Sequence, residues 1–217
     1  MIHDLTLDVE TGMPTCGTPW HQTVEITQMG RLAEVGRNTS RIVLGSHSGT
    51  HMDAPFHFIE DGITMESLDV NLMWGRAVAV DMRSKGAGST VTLSDVEAID
   101  VSERMIFVFG WYHNWKTDRF YKDFPYFETD AVEYLIKRGM KVMALDTPSP
   151  DDGSAIKEKG ETDSPNHVML LKNGVLIVEY LCNTDFMENG KEYELVALPL
   201  KVKGSDGCPA RVLAKDI

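Results

Sequence analysis

Three histidines, His47, His51 and His57, fall within eleven residues, and Asp53 stands among them. The stretch reads Ser46-His47-Ser48-Gly49-Thr50-His51-Met52-Asp53-Ala54-Pro55-Phe56-His57. Neutral imidazole and carboxylate are the ligands that zinc and manganese prefer, and a catalytic metal site takes three protein ligands and keeps one position open. His47-x3-His51-x-Asp53 supplies that set, so the fold has to bring these side chains to one point. His51 and Asp53 are two residues apart and share a face of an extended segment, while Gly49 lets the chain bend so that His47 reaches the same place. Pro55 stiffens the exit towards His57, the nearest remaining imidazole. A neutral imidazole within hydrogen-bond reach of the leaving group serves as a proton carrier, and His57 is the candidate. One histidine by itself is more often a hydrogen-bonded structural residue than a ligand. The clustering is what points to metal and, through a water made acidic by it, to hydrolysis. Ser48 and Thr50 read as hydrogen-bonding residues, because no Gly-x-Ser-x-Gly elbow accompanies them.

Length and composition bound the rest. The chain has 217 residues, 42% hydrophobic and 25% charged, enough for one substantial core, and one domain over 1–217 is expected. A formal net charge of -12 with no Lys/Arg stripe argues against a nucleic-acid partner. No apolar run approaches the ~18 residues of a membrane span, and Met1-Ile2-His3-Asp4 lacks the basic and apolar regions of a leader, so a cytoplasmic protein with no membrane contact is expected. Cys16, Cys182 and Cys208 make no CxxC pair and are odd in number, which fits reduced thiols.

Apolar runs predict strands over 2–9, 23–27, 41–46, 77–82, 105–110, 141–146, 175–180 and 193–202. Ser94 with Glu97 reads as a capping box opening a short helix, and Asp130 to Arg138 as a helix closed by Gly139. Asn166 reads as the cap of a further helix. A strand-rich start followed by alternating strands and helices implies an α/β or α+β fold with a mixed sheet. Asn114 to Tyr126 and Pro148 to Pro165 carry no periodicity. The second is over ~15 residues, and its length suggests a mobile lid or a solvated surface loop.

On these residues the chain resembles the cyclase-like metal-dependent hydrolases, a family that includes bacterial kynurenine formamidase and isatin hydrolase. Their signature, His-x-Gly-Thr-His-x-Asp-x-Pro-x-His, is met without departure by His47 through His57. Leu145-Asp146-Thr147-Pro148-Ser149 is similar to the family's turn before its substrate loop, and Asn166-His167 through Val178-Glu179-Tyr180-Leu181 to the segment that supplies a second metal site. The resemblance implies a swivelling β/β/α domain, with a mixed sheet curved into a barrel-like core and helices outside. It implies that His47, His51 and Asp53 hold one metal, that Asp53 bridges to a second held by His167 and Glu179, and that His57 is the acid/base. It implies one or two zinc or manganese ions per subunit, a small-molecule substrate and a homodimer or homotetramer. Read without the resemblance, His167 and Glu179 have equally good structural explanations.

One stretch departs from the family. Members carry a segment similar to Met-Pro-x-Trp-Pro-Gly-x-x-Pro that helps to line the substrate pocket, whereas here Met13-Pro14-Thr15-Cys16-Gly17-Thr18-Pro19-Trp20 lacks the aromatic-proline pair. Trp20, His21 and Trp111-Tyr112-His113 read as core or surface residues in preference to pocket wall. Three functions follow: an arylformamidase converting N-formylkynurenine to kynurenine and formate, an isatin hydrolase-like enzyme opening a cyclic amide or lactone, and a metal-binding protein without turnover.

Overall fold

The computed structural model describes residues 1–154 and 162–217. Among the described residues twelve strands are formed: β1 Ile2–Asp4, β2 Glu25–Gly30, β3 Thr39–Val43, β4 His51–Asp53, β5 Trp74–Asp81, β6 Thr90–Val91, β7 Arg104–Val108, β8 Tyr126–Phe127, β9 Val142–Leu145, β10 Leu176–Glu179, β11 Glu192–Pro199 and β12 Gly207–Asp216. Helices are α1 Leu32–Val35, α2 Leu93–Glu97, α3 Thr129–Lys137 and α4 Pro165–Lys172. Seven strands run in the order β12-β11-β5-β7-β9-β10-β4, and β4 pairs again with β12, which closes the sheet into a barrel. β1 continues the edge of β12 beyond β4. The expected mixed, barrel-like sheet is therefore present: β5, β7, β9 and β10 are parallel to one another, and the remaining barrel pairings are antiparallel.

The parallel strands are apolar on both faces because both faces are covered. Ile106, Val108, Val142, Ala144, Leu176 and Val178 join one buried cluster inside the barrel. Their alternates Met105, Phe107, Met143, Leu145 and Ile177 join a second cluster with Ala131, Val132 and Leu135 of α3 and Leu170 and Leu171 of α4. Ala77, Ala79, Ala144, Ala197, Ala210 and Ala214 all sit in the inner cluster, since a closed barrel of this size leaves room for small side chains between the large ones.

The ends of several elements differ from the sequence reading. β1 stops at Asp4, because the Leu5 carbonyl accepts the Cys182 N–H and the Val212 N–H turns to the Thr6 hydroxyl. The capping box belongs to Thr92 and Asp95, not to Ser94 and Glu97: the Asp95 carboxylate accepts from the Thr92 backbone N–H at 2.7 Å. α4 starts one residue before Asn166, with Pro165 at its first position. The Asn166 amide faces inward instead, donating to the Phe127 and Pro150 carbonyls. β12 is absent from the apolar pattern, since Gly207, Cys208 and Pro209 open it and the charged Arg211, Lys215 and Asp216 lie along it. Residues 155–161, the middle of the expected lid, lie outside the described residues.

Candidate metal centre

β4 is three residues long and sets the site. Met52 points into the barrel core, so its neighbours His51 and Asp53 both face outward, as the two-residue spacing requires. β10 pairs with β4 in the register Glu179 to His51 and Ile177 to Asp53, which puts the Glu179 carboxylate on the same outer face. The Glu179 Oε2 to His51 Nε2 distance is 3.3 Å. His167 enters from the first turn of α4 with Nε2 at 3.2 Å from Glu179 Oε1 and 3.4 Å from Asp53 Oδ2. His47 arrives from the preceding loop with Nδ1 2.9 Å from Asp53 Oδ1. Gly49 makes that loop possible: its φ of +63° is open to glycine without cost, and a Cβ there would press on Met13.

The five residues that the sequence assigns to metal, His47, His51, Asp53, His167 and Glu179, are thus brought together, all buried or nearly so. Five side-chain atoms among the described residues are buried without a hydrogen-bond partner, and four of them are His51 Nε2, both Asp53 oxygens and Glu179 Oε1. Buried acceptors of this kind normally find a partner, and their desolvation is costly when they do not. Four orphaned ligand atoms facing one another is the arrangement that a divalent cation satisfies, so the residues present fit a metal. His51, Asp53 and Glu179 alone offer three ligand atoms within 4.8 Å of one another, and so do His47, Asp53 and His57.

Neighbouring acceptors orient the imidazoles. His51 Nδ1–H donates to the Gly49 carbonyl at 2.7 Å, which leaves Nε2 for the centre. His167 Nδ1–H donates to Asp151 Oδ2 at 2.6 Å. The same carboxylate accepts the Asn166 and His167 backbone N–H groups, closing the start of α4. Second-sphere carboxylates of this kind fix tautomer and ring orientation at metal sites. Asp151 and Asp206 were not found from sequence. Asp151 is sixteen residues from His167, and Asp206 is 159 residues from His47. Asp206 Oδ2 lies 2.8 Å from His47 Nε2 and 3.1 Å from His57 Nδ1. Thr50 holds the frame together, as its reading as a hydrogen-bonding residue anticipates. It accepts from the Leu7 N–H at 2.9 Å and donates to the Tyr180 carbonyl at 2.7 Å. Thr50→Val will lower stability by about 1–3 kcal/mol by stranding both groups in the interior, as read by urea unfolding; no shift in midpoint would remove this role from Thr50.

Charge follows the same geometry. Burial pulls the His51 imidazolium down, but the Asp53 and Glu179 carboxylates outweigh it and lift its pKa to about 10. His47 and His167 are raised for the same reasons, burial opposing and carboxylates prevailing, with Asp206 adding to the pull on His47 and Asp151 to that on His167. Asp53 is held well below the usual carboxylate range against its burial by His47, His167 and His51. Imidazole must be neutral to bind metal, so a cation entering this site displaces protons. In the metal-free chain the raised imidazoles of His47, His51 and His167 stabilise fully below pH ~6.5, the value of an unfolded imidazole, and that contribution fades as pH rises through their folded values, about 10 for His51. Metal affinity will therefore rise between pH 6 and 9, and the gain in melting temperature on adding metal will grow over that range. Titration calorimetry in two buffers of different ionisation enthalpy measures the protons released, and a release of zero at pH 7 would overturn the assignment.

The centre opens into a cleft of about 620 Å³ whose wall includes Cys16, Trp20, His21, Phe58, Tyr121 and Phe124 beside His57. Trp20 and His21 therefore line the pocket, contrary to the sequence reading. Trp111 is in the core, and Tyr112 and His113 bind Asp185 on the surface, as that reading has them. The Leu145–Ser149 turn is structural at Asp146, whose buried carboxylate accepts from the Phe109 and Gly110 N–H groups and the Thr184 hydroxyl.

Residues 3–152 match the cyclase family, described as "Putative cyclase". The kynurenine formamidase of Erythrobacter litoralis is 31% identical over 180 residues, 83% of this chain and 78% of the relative. That of Geobacillus thermodenitrificans is 31% identical over 176 residues, 80% of this chain and 78% of the relative. Among solved structures, isatin hydrolase A from Ralstonia solanacearum superposes with a TM-score of 0.88 at 22% identity, covering 99% of this chain and 91% of the other, a likeness of fold. A structure described as a potential metal-dependent hydrolase with cyclase activity gives a TM-score of 0.73 at 28% identity, covering 99% and 96%. With the signature, the closed mixed barrel and these relatives in agreement, the chain belongs to the cyclase family, alongside hydrolases named for formamide and isatin cleavage.

Proposed function

We propose that this protein is a metal-dependent amidohydrolase that cleaves the carbon-nitrogen bond of N-formylkynurenine, releasing kynurenine and formate. The observation that carries the reading is the buried set of orphaned donors from His51, Asp53 and Glu179, open to an aromatic-walled cleft with His57 at its edge. His47, His51 and Asp53 would hold one ion, and Asp53, His167 and Glu179 a second. Zinc and manganese both suit this nitrogen and oxygen donor set, in which no cysteine takes part. When bound, the metal supplies Lewis acidity and a water acidic enough to attack a carbonyl at neutral pH. His57 lies outside the orphaned set and is part-exposed to the cleft, where it accepts a proton and delivers it to the leaving nitrogen. Hydroxyl adds to the formyl carbon, the carbon-nitrogen bond breaks, and the amine leaves neutral. Trp20, Phe58, Tyr121 and Phe124 offer flat apolar surface to an aryl ring.

A second reading, opening of a cyclic amide such as isatin, is kept by one feature: Cys16 stands in the cleft wall where members of the family carry an aromatic-proline pair, a departure that counts against the kynurenine substrate. A metal-binding protein without turnover fits less well, because structural zinc sites are closed and cysteine-rich whereas this centre faces a cleft. Initial rates on N-formylkynurenine and on isatin, with and without chelator and with zinc or manganese restored, separate the three. A chelator-sensitive rate on the formamide supports the first reading, a rate on isatin alone the second, and stoichiometric metal with no rate on a broad amide and lactone panel the third.

The reading includes a homodimer or homotetramer acting on a small molecule. The β2–β3 hairpin supports it: Ile26, Met29, Leu32, Val35 and Ile42 are all exposed on and around it, an apolar surface suited to a second copy. Sedimentation velocity will give at least twice the 24.2 kDa of one chain, whereas a single species at 24.2 kDa would make the protein a monomer. A cytoplasmic location is supported by three free cysteines, two of them buried. No helix among the described residues is long and apolar enough to cross a membrane.

A further inference from the structure

We propose that Asp206 is a positioning residue that sets the tautomers of His47 and His57 together, through a single carboxylate oxygen. The inference rests on the proposed role of His57 as the proton carrier, and it adds a residue that neither the signature nor the orphaned donor set contains.

Four observations support it. Asp206 Oδ2 is within hydrogen-bond reach of both His47 Nε2, at 2.8 Å, and His57 Nδ1, at 3.1 Å. A carboxylate oxygen only accepts, so each ring nitrogen that faces it carries the proton. His47 Nδ1 faces Asp53 Oδ1 at 2.9 Å, so there a bound metal would take the place of the proton while Nε2–H stays on Asp206, and His57 keeps Nε2 free to take a proton from the cleft. The two rings are stacked, 3.9 Å between centroids and 30° between planes, so neither can rotate away without displacing the other.

The backbone of Asp206 is itself pinned to the motif it serves. The Ala54 N–H donates to the Asp206 carbonyl at 2.8 Å, and the Met65 N–H to the Ser205 carbonyl at 3.0 Å. β12 begins at the next residue and pairs Gly207 with Asp53. The carboxylate is thus fixed relative to the ligand strand by the same closure that completes the barrel. Gly207 explains how His47 fits: a Cβ at that position would stand 2.7 Å from His47 Cε1, so only glycine lets the ring lie against β12 and reach Asp206.

The functional consequence is coupling. In a metal site the outer partner of a ligating imidazole raises its basicity and locks its direction, and in acid/base catalysis the partner of the imidazole selects the nitrogen that faces substrate. Here one carboxylate does both. A ligand and the proton carrier are held as a stacked pair, which keeps the proton carrier at a set distance from the carbonyl that the metal polarises.

The test uses the zinc-loaded full chain and the variants Asp206→Asn, Asp206→Ala and Asp206→Glu, with His57→Ala as the reference. Long-range proton-nitrogen NMR of the imidazoles reports the tautomers without any substrate, and chelator competition reports zinc affinity. Asp206→Ala will move His57 from the Nδ1–H tautomer to a mixture and will weaken zinc binding by about 10-fold, within the usual range for loss of an outer partner. On the substrate turned over by the wild type, it will lower kcat by about 10–100-fold while KM stays within about 3-fold. Asp206→Asn, whose amide oxygen still accepts one ring proton, will lose less, and Asp206→Glu will restore part of kcat. In a His57→Ala background, Asp206→Ala will add little further loss of kcat. Unchanged His57 tautomer and zinc affinity in both Asp206→Ala and Asp206→Asn would overturn the inference. So would additive losses of kcat in the double variant. If the tautomer shifts as expected but neither N-formylkynurenine nor isatin is hydrolysed by the wild type, the positioning role stands and the substrate assignment falls.

Discussion

Asp53→Asn will remove bound metal and turnover together. Asp53 is fully buried, and its two oxygens face His47, His51 and His167 at 2.9, 3.3 and 3.4 Å, so every imidazole of the proposed ligand set depends on it. Asparagine keeps the shape but removes the charge and replaces one acceptor with a donor that no cation can use. The expected loss in kcat/KM is about 10³-fold or more, since Lewis-acid stabilisation is worth several kcal/mol and each 1.36 kcal/mol is about tenfold in rate. Metal analysis of the purified variant will find a small fraction of the wild-type content. The metal-free variant will also melt below the metal-free wild type, because unpairing a buried ion cluster costs about 3–5 kcal/mol. Wild-type metal content with rates within a few-fold of wild type would remove Asp53 from the centre.

His57→Ala separates chemistry from metal binding. Its ring is a quarter exposed beside the cleft, and among the described residues Asp206 is the one hydrogen-bonded partner of that ring. The variant will keep metal at the wild-type ratio and lose about 10²–10⁴-fold in kcat, the range for a positioned acid/base. Loss of metal in step with rate would instead make His57 a ligand, an arrangement that its closeness to His47 and Asp53 permits. Full activity would take it out of the mechanism.

The local placement of these two residues is legible in the sequence because ligand type and spacing carry the signal. A strand with apolar Met52 between His51 and Asp53 turns both polar side chains to one face whatever the rest of the chain does, and Gly49 marks the bend that brings in His47. The parallel strands were readable too, since burial on both faces leaves unbroken apolar runs such as Val142–Leu145 and Leu176–Glu179's first three residues. β12 was not, because a strand that opens with glycine and proline and alternates with charge looks like a turn until its partners are known. The capping box was misplaced by two residues for a similar reason: Thr92, Ser94 and Asp95 all carry capping chemistry, and only the backbone conformation at Thr92 selects it.

What the sequence determined by itself is the chemistry of the site: the donor types, their local spacing, the glycine at the bend and the imidazole beyond the proline. What only the tertiary structure decided is which distant acids complete it. Asp151 and Asp206 are marked off from the other acids, in a chain that has 33, by no short-range pattern, and Glu179 is singled out only by the family resemblance. Glu179 reaches His51 through the β4–β10 register, Asp151 meets His167 by closing the start of α4, and Asp206 meets His47 and His57 because β12 returns to β4 and closes the barrel. Strand pairing sums hydrogen bonds and burial over whole elements, so these meetings are properties of the closed sheet and have no counterpart in local sequence.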